Sequence, residues 1–189
     1  YRAMRRTGAE VVKIAVRSQS AGDVVRLLQL GRAARSERVV LVGMGPAGVA
    51  TRLLAAHFGS CWSYAGEGVA PGQVGIAEMV RRYRFKQTTA STAVYGVAGR
   101  PIGHSLSPPM HNAGFEAASL DAVYVPFEAT SVEDLMSLVD ALGVRGLSVT
   151  APFKEAIVAH VREVDALGRR VGAVNTLRAD GHEWIGLNT

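Results

Sequence analysis

Cysteine is nearly missing from this sequence: Cys61 stands alone among 189 residues. One thiol cannot close an internal disulfide or build a cysteine-ligated metal centre, and Cys61, set in an apolar and aromatic stretch, is expected to be buried. Long hydrophobic runs are missing too. No segment approaches the roughly 20 consecutive apolar residues that span a bilayer. The opening Tyr1-Arg2-Ala3-Met4-Arg5-Arg6 leads into no apolar core of a secretory signal. A cytoplasmic protein without a membrane partner is therefore expected. Blocks of like charge are scarce as well. The net charge is +5, but the arginines are scattered and Arg81, Arg82 and Arg84 form their densest group, which reads as solvated helix faces and not as a nucleic-acid footprint. What remains is an apolar fraction of 48%, enough for a packed core in one medium domain or two small ones.

Lysine is the next scarcity. Of 21 basic residues only Lys13, Lys86 and Lys154 are lysines. Where arginine is the default surface cation, a lysine stands out for what guanidinium cannot do: its amine can lose a proton and attack a carbonyl.

The patterning is α/β throughout. Strands over residues 11–16, 38–43 and 61–65 alternate with helices over 20–35, 46–58 and 73–83, giving three βα units; Ser20 and Asp23 form a capping box for the first helix. Three such units cannot close a barrel, which takes eight. Residues 86–92 are polar and lack hydrophobic periodicity, as expected of a linker. A second α/β pattern follows, with strands over 93–97, 122–127, 146–149, 174–178 and 183–187. Its helices are expected over 108–118, 132–142 and 152–160, and Asp180-Gly181 is a hairpin turn signal.

Lys13 falls in Val11-Val12-Lys13-Ile14-Ala15-Val16, a pattern expected to bury it in a parallel strand. Desolvation there would lower its pKa and leave a neutral amine able to form a Schiff base; snorkelling from a strand end is the equally weighted alternative. Gly43-Met44-Gly45-Pro46-Ala47-Gly48 fits the dinucleotide fingerprint G-x-G-x-x-G, with Glu67 downstream for ribose hydroxyls. A nucleotide-binding oxidoreductase is thus one reading; a tight βα turn is the other. Lys13, Arg52 and Gln73 follow three successive strands and would converge at one barrel mouth, with Arg52 suited to a carboxylate and Gln73 to hydroxyls.

Lys13-Ile14-Ala15, Met44-Gly45 through Gly48 to Arg52, Phe58-Gly59-Ser60 and Ala70-Pro71-Gly72-Gln73 resemble, in order and spacing, the type I 3-dehydroquinate dehydratases. The resemblance covers residues 1–85 and implies the last three βα units of a (β/α)8 barrel, with Lys13 as Schiff-base lysine and Arg52 and Gln73 binding substrate. It also implies that five further strands and a general-base histidine lie upstream of Tyr1. Val69 departs from the family, standing where many members carry a substrate-binding serine.

In the second half, Tyr95-Gly96-Val97-Ala98-Gly99-Arg100-Pro101-Ile102-Gly103-His104-Ser105-Leu106-Ser107-Pro108 reads as strand, glycine-rich turn and helix start. Hydroxyls beside the free N–H groups of a helix N-terminus suit a carboxylate; the plainer reading makes Ser107 the helix cap. His104 and His111 lack partners at metal-ligand spacing, and ordinary roles are expected for them. Ser148-Val149-Thr150-Ala151-Pro152-Phe153-Lys154 places Lys154 one turn into an expected helix, where it can shuttle a proton or be merely solvated. Gly172-Ala173-Val174-Asn175-Thr176 follows.

Together these stretches resemble the substrate-binding domain of shikimate dehydrogenase over residues 93–189. The resemblance implies that Ser105 and Ser107 bind the substrate carboxylate, that Thr150 and Asn175 bind its hydroxyls, and that Lys154 is catalytic. It further implies that an aspartate partner and an NADP-binding domain follow Thr189, so that residues 1–189 bind 3-dehydroquinate, 3-dehydroshikimate or shikimate without completing either reaction alone. No metal and no nucleic acid are implied. A shikimate-binding module without catalysis is the non-enzymatic alternative.

Overall fold

The computed structural model describes residues 1–68 and 70–189; Val69, with its departure from the serine, lies outside the described residues. A short helix α1 (Arg2–Arg5) precedes a parallel pair, β1 (Val12–Arg17) and β2 (Val39–Met44), linked by α2 (Ala21–Ala33). This is one right-sized βαβ unit, since parallel neighbours need a crossover of a dozen or more residues. The expected capping box forms: Ser20 accepts from the N3 backbone and Asp23 returns the bond. Buried Ala21, Val24, Leu27, Leu28 and Gly31 repeat at helical spacing and set the inward face of α2.

The third strand expected over 61–65 does not form. Among the described residues only a parallel bridge between Val39 and Ser60 extends the sheet. Beyond the bond from Cys61 N–H to the Val39 carbonyl the chain leaves the sheet, with Cys61 and Trp62 exposed. The buried thiol expected at Cys61 is therefore corrected to an exposed one.

The helix expected over 46–58 is a 3₁₀ turn, Pro46–Gly48, running into α3 (Val49–Leu53). It stops early because Leu54 to Gly59 fold into successive turns that end on Gly59 at φ +68°. Helix α4 (Ile76–Arg81) is likewise shorter than expected: Gly72 at φ +73° and a bond from Gly66 N–H to the Val74 carbonyl hold the preceding residues in a loop.

After a 3₁₀ turn, Phe85–Gln87, the larger sheet begins. Its strands are β3 (Ala93–Gly99), β4 (Ala122–Glu128), β5 (Gly146–Val149), β6 (Glu163–Val164), β7 (Thr176–Asp180) and β8 (Glu183–Leu187), in the order β4-β3-β5-β7-β8-β6. β3 lies parallel to both β4 and β5, with α5 (Ser107–Ala117) and α6 (Val132–Leu142) as crossovers. β7 then runs antiparallel to β5 and pairs with β8 through the expected hairpin, Gly181 adopting φ +65°. A third helix, α7 (Ala166–Val171), follows β6 and is capped by Asp165, which accepts from Gly168 N–H at 2.8 Å.

The helix expected over 152–160 is a turn and then a 3₁₀ segment, Ala156–His160. Pro152 offers no N–H and disfavours helical backbone at the residue before it.

One apolar core runs through both halves. Leu28, Leu53 and Phe58 share a buried cluster with Phe127, Leu135 and Leu138, each burial contributing about 1.5–3 kcal/mol. Polar contacts reinforce the junction, including His57 Nε2 against the Thr92 carbonyl at 2.9 Å. No helix among the described residues is long and apolar enough to cross a membrane.

Candidate functional site

The candidate residues fall in two groups, one in each half of the chain. In the first, Lys13 is exposed on β1, so the burial on which a lowered pKa was expected is absent. The physical reason is that the face of β1 carrying Lys13, Ala15 and Arg17 is not covered, whereas Val12 on the other face is buried against the core. The ammonium stands 3.9 Å from the ring centroid of Tyr64, a favourable electrostatic contact with the ring face.

Arg52 reaches the same residue from α3. It is only 3% exposed, and its Nη1 donates to the Tyr64 carbonyl at 3.3 Å. Its Nε is buried with no partner, and burial lowers the pKa of the guanidinium. A buried cation whose hydrogen-bonding capacity is unspent is arranged to receive an anion. Gln73 follows in the chain: its Oε1 accepts from Ala70 N–H at 2.9 Å, and a Cβ on Gly66 would stand 2.9 Å from its Nε2. Lys13 and Arg52 thus meet at Tyr64, and Gln73 stands against Gly66, two residues further on. Tyr64 is the member that sequence reasoning missed; a lone tyrosine in an apolar stretch carries no motif. Its phenol is drawn to lower pKa by the Trp62 side chain first and by Lys13 after it.

The glycine turn of residues 43–48 does not present a phosphate cradle. Gly43 N–H donates to Thr51 Oγ1 at 2.8 Å, Gly45 N–H to the Pro71 carbonyl and Gly48 N–H to the Gly45 carbonyl, both at 3.0 Å. Cβ atoms at Gly43 and Gly48 would each collide with the other's backbone, at 2.8 and 2.4 Å respectively. These glycines serve close packing of the βα turn, and the donors a pyrophosphate would need are spent. The nucleotide-binding reading of Gly43, Gly45, Gly48 and Glu67 loses its physical basis here.

The second cluster surrounds the ends of β3 and β5. Gly99 ends β3 without a side chain, and Thr150 fills that space: a Cβ on Gly99 would lie 2.4 Å from Thr150 Cγ2. Thr150 N–H donates to Ala98 and so continues the β3–β5 ladder for one residue. Ser105 and Ser107 are half-buried at the start of α5, where Ser105 Oγ accepts from Ser107 N–H at 3.2 Å. Leu106 occupies the N-cap position with no side-chain cap bond, and the Ser107 hydroxyl is not a helix cap.

Lys154 is exposed in the turn after β5, not one turn into a helix as expected. Its carbonyl accepts from Val174 N–H at 2.8 Å, bringing it next to Asn175. The Asn175 amide is fully engaged: Nδ2 donates to the Thr189 carbonyl at 2.8 Å, while Oδ1 accepts from Thr189 N–H and Thr176 Oγ1. His104 is exposed and His111 stacks on Tyr124 at 4.3 Å. Tyr124 donates to Ser148 Oγ at 2.7 Å, and burial raises its pKa. Among the described residues no group of three or more His, Cys, Asp or Glu is placed to hold a metal.

Comparison with known proteins gives two family matches. Residues 1–90 match the family of type I 3-dehydroquinase and residues 97–177 match the shikimate dehydrogenase substrate binding domain. A bifunctional 3-dehydroquinate dehydratase/shikimate dehydrogenase, chloroplastic, from Arabidopsis thaliana is 33% identical over 98% of this chain, which spans 32% of that protein. An NADP(+) shikimate dehydrogenase of Natronomonas pharaonis is 52% identical over 51% of this chain and 36% of its own length. The crystal structure of shikimate dehydrogenase from Aquifex aeolicus superposes with a TM-score of 0.51 at 39% identity, covering 53% of this chain and 38% of that one. The chain thus spans about a third of the length of these curated relatives.

Proposed function

We propose that this chain joins a type I 3-dehydroquinase segment to a shikimate dehydrogenase substrate-binding domain, the two families that its halves match, and that it serves a bifunctional enzyme running two consecutive steps of the shikimate pathway. The first is dehydration of 3-dehydroquinate and the second NADPH-dependent reduction of 3-dehydroshikimate to shikimate. The observation that carries the reading is a single relative of both activities aligned along nearly the whole chain. Residues 1–85 are the end of a (β/α)8 barrel, 86–92 the connection, and 93–189 the substrate domain.

In the first step Lys13 attacks the substrate ketone and water leaves, forming an imine that acidifies the adjacent C–H bond. Arg52 holds the substrate carboxylate and Gln73 its hydroxyls. Arg52 supports its role by being buried, cationic and short of acceptors. In the second step Ser105 and Ser107 bind the carboxylate, Thr150 and Asn175 the ring hydroxyls, Asn175 exchanging its bonds to Thr189 for the ligand, and Lys154 holds the proton of the reacting hydroxyl. The glycine turn of residues 43–48 does not fit a dinucleotide, and on this reading a further domain of the full-length enzyme holds NADP.

The test is borohydride reduction of the full-length enzyme with 3-dehydroquinate, followed by peptide mass analysis, alongside assay of shikimate oxidation. A covalent adduct on the Lys13 peptide and NADP-dependent turnover are expected. Shikimate affinity with neither result would make the protein a binding module instead.

A further inference from the structure

The helix that closes the first half reaches into the second site. Arg82, at the end of α4, donates through Nη2 to the Ser105 main-chain carbonyl at 2.5 Å. Its Nη1 pairs with Glu78 Oε1 at 3.3 Å, one turn back on the same helix. The Arg82 carbonyl in turn accepts from Asn112 Nδ2 at 2.9 Å. Asn112 is 1% exposed and locked by two bonds to the Tyr124 backbone on β4. The arginine is therefore anchored on both sides, and what it holds is the loop that carries Ser105.

Ile102 buries its side chain against Val97 and Tyr124, and Arg100 N–H is bonded to the Ala151 carbonyl, but the residues beside Ser105 itself are less firmly held. Gly103, His104 and Leu106 are exposed, and a Cβ on Gly103 would meet nothing. Ser105 is pinned through its N–H to the Ile102 carbonyl, through its Oγ to Ser107 N–H, and through its carbonyl to Arg82. The first two bonds are internal to the loop and its helix. Only the third ties it to a different part of the chain. A solvent-facing segment with few packed contacts opens at low cost, and a carboxylate site a fraction of an ångström out of place binds poorly.

We propose that Arg82, supplied by the dehydratase half, is a positioning residue for the carboxylate-binding serines of the dehydrogenase half. The proposal rests on the reading of Ser105 and Ser107 as carboxylate ligands. It makes the first half a structural component of the second site.

The test is steady-state kinetics of both reactions in the full-length enzyme. Arg82→Ala is expected to raise the KM for shikimate about tenfold, the size of effect one charge-assisted hydrogen bond supports. Its kcat stays within about twofold and dehydration of 3-dehydroquinate is unchanged. Arg82→Lys, keeping a donor, recovers part of the loss. Glu78→Gln, which loosens the guanidinium without removing it, raises KM by about threefold and serves if Arg82→Ala does not fold. Ser107→Ala separates the two failures. If it leaves KM unchanged, the carboxylate-site reading falls and the proposal with it. If it raises KM while Arg82→Ala and Glu78→Gln do not, the proposal alone is overturned. A parallel fall of both activities with a lowered Tm in the Arg82 variants would reduce Arg82 to a structural strut and also overturn it.

Discussion

The carboxylate of Asp134 on α6 caps a helix that is not its own: Oδ1 accepts from Gly22 N–H at 2.8 Å and Oδ2 from Ala21 N–H at 2.7 Å, at the start of α2. Negative charge is favoured there by the helix dipole and the unpaired first-turn donors. Asp134→Ala removes a cap from α2 and an acceptor shared between the halves, and is expected to cost about 1–2 kcal/mol. Urea unfolding followed by far-UV circular dichroism checks this; a midpoint equal to wild type would show that Ser20 and Asp23 suffice.

Lys13→Ala in the full-length enzyme is expected to lower dehydration by at least about 10³-fold, because it removes the amine assigned to form the imine. Shikimate oxidation should persist. Retained dehydration would remove Lys13 from the mechanism.

The mirror experiment is Lys154→Ala. Dehydrogenase kcat should fall by about 10²–10⁴-fold, the range expected on loss of a proton-handling group. Dehydration should be unaffected. Equal loss of both activities would point to misfolding and not to chemistry.

Arg52 illustrates a cost of function. A buried guanidinium with an unpartnered Nε is destabilising until an anion arrives. Arg52→Met is expected to stabilise the unliganded protein by about 1 kcal/mol while abolishing stabilisation by added 3-dehydroquinate. Thermal melts with and without ligand read both effects. A lower Tm without ligand would show that Arg52 holds Tyr64 in place more than it costs.

His57 gives a pH dependence with a defined sign. Burial lowers its pKa below the ordinary 6.5, outweighing the Thr92 carbonyl and Asp121, which act to raise it. The unfolded chain therefore binds a proton more readily than the folded one. The stability this confers is complete above pH 6.5 and is lost as pH falls through the depressed folded value. His57→Gln should flatten the decline in stability between pH 7.5 and 5. An unchanged slope would assign the decline to other groups, His111 among them, whose pKa burial also lowers.

Much of this was legible in the sequence because short-range chemistry decides it. The Ser20–Asp23 capping box, the apolar periodicity of α6 and the Asp180-Gly181 turn each name their structure locally. Boundaries that depend on distant partners were not legible. The stretch after Ser60 has strand-like composition but pairs with nothing beyond Val39, and Pro152 ended a helix pattern that the flanking residues supported. At the site, lysine scarcity singled out Lys13 and Lys154, and motif order singled out the serines. Tyr64 and Arg82 escaped because their roles rest on contacts across the fold. The signal for α7 was present in Asp165 and Gly172, the cap and the left-handed stop.

The absent side chain of Gly72 has a mechanical consequence. A methyl there would sit 2.4 Å from the Gly45 carbonyl, and Gly45 N–H is bonded to Pro71, so the two turns interlock like meshed teeth. The backbone that carries Gln73 therefore abuts Gly45, the residue that follows β2, and a side chain at Gly72 would force the two turns apart and shift Gln73 away from the end of the sheet.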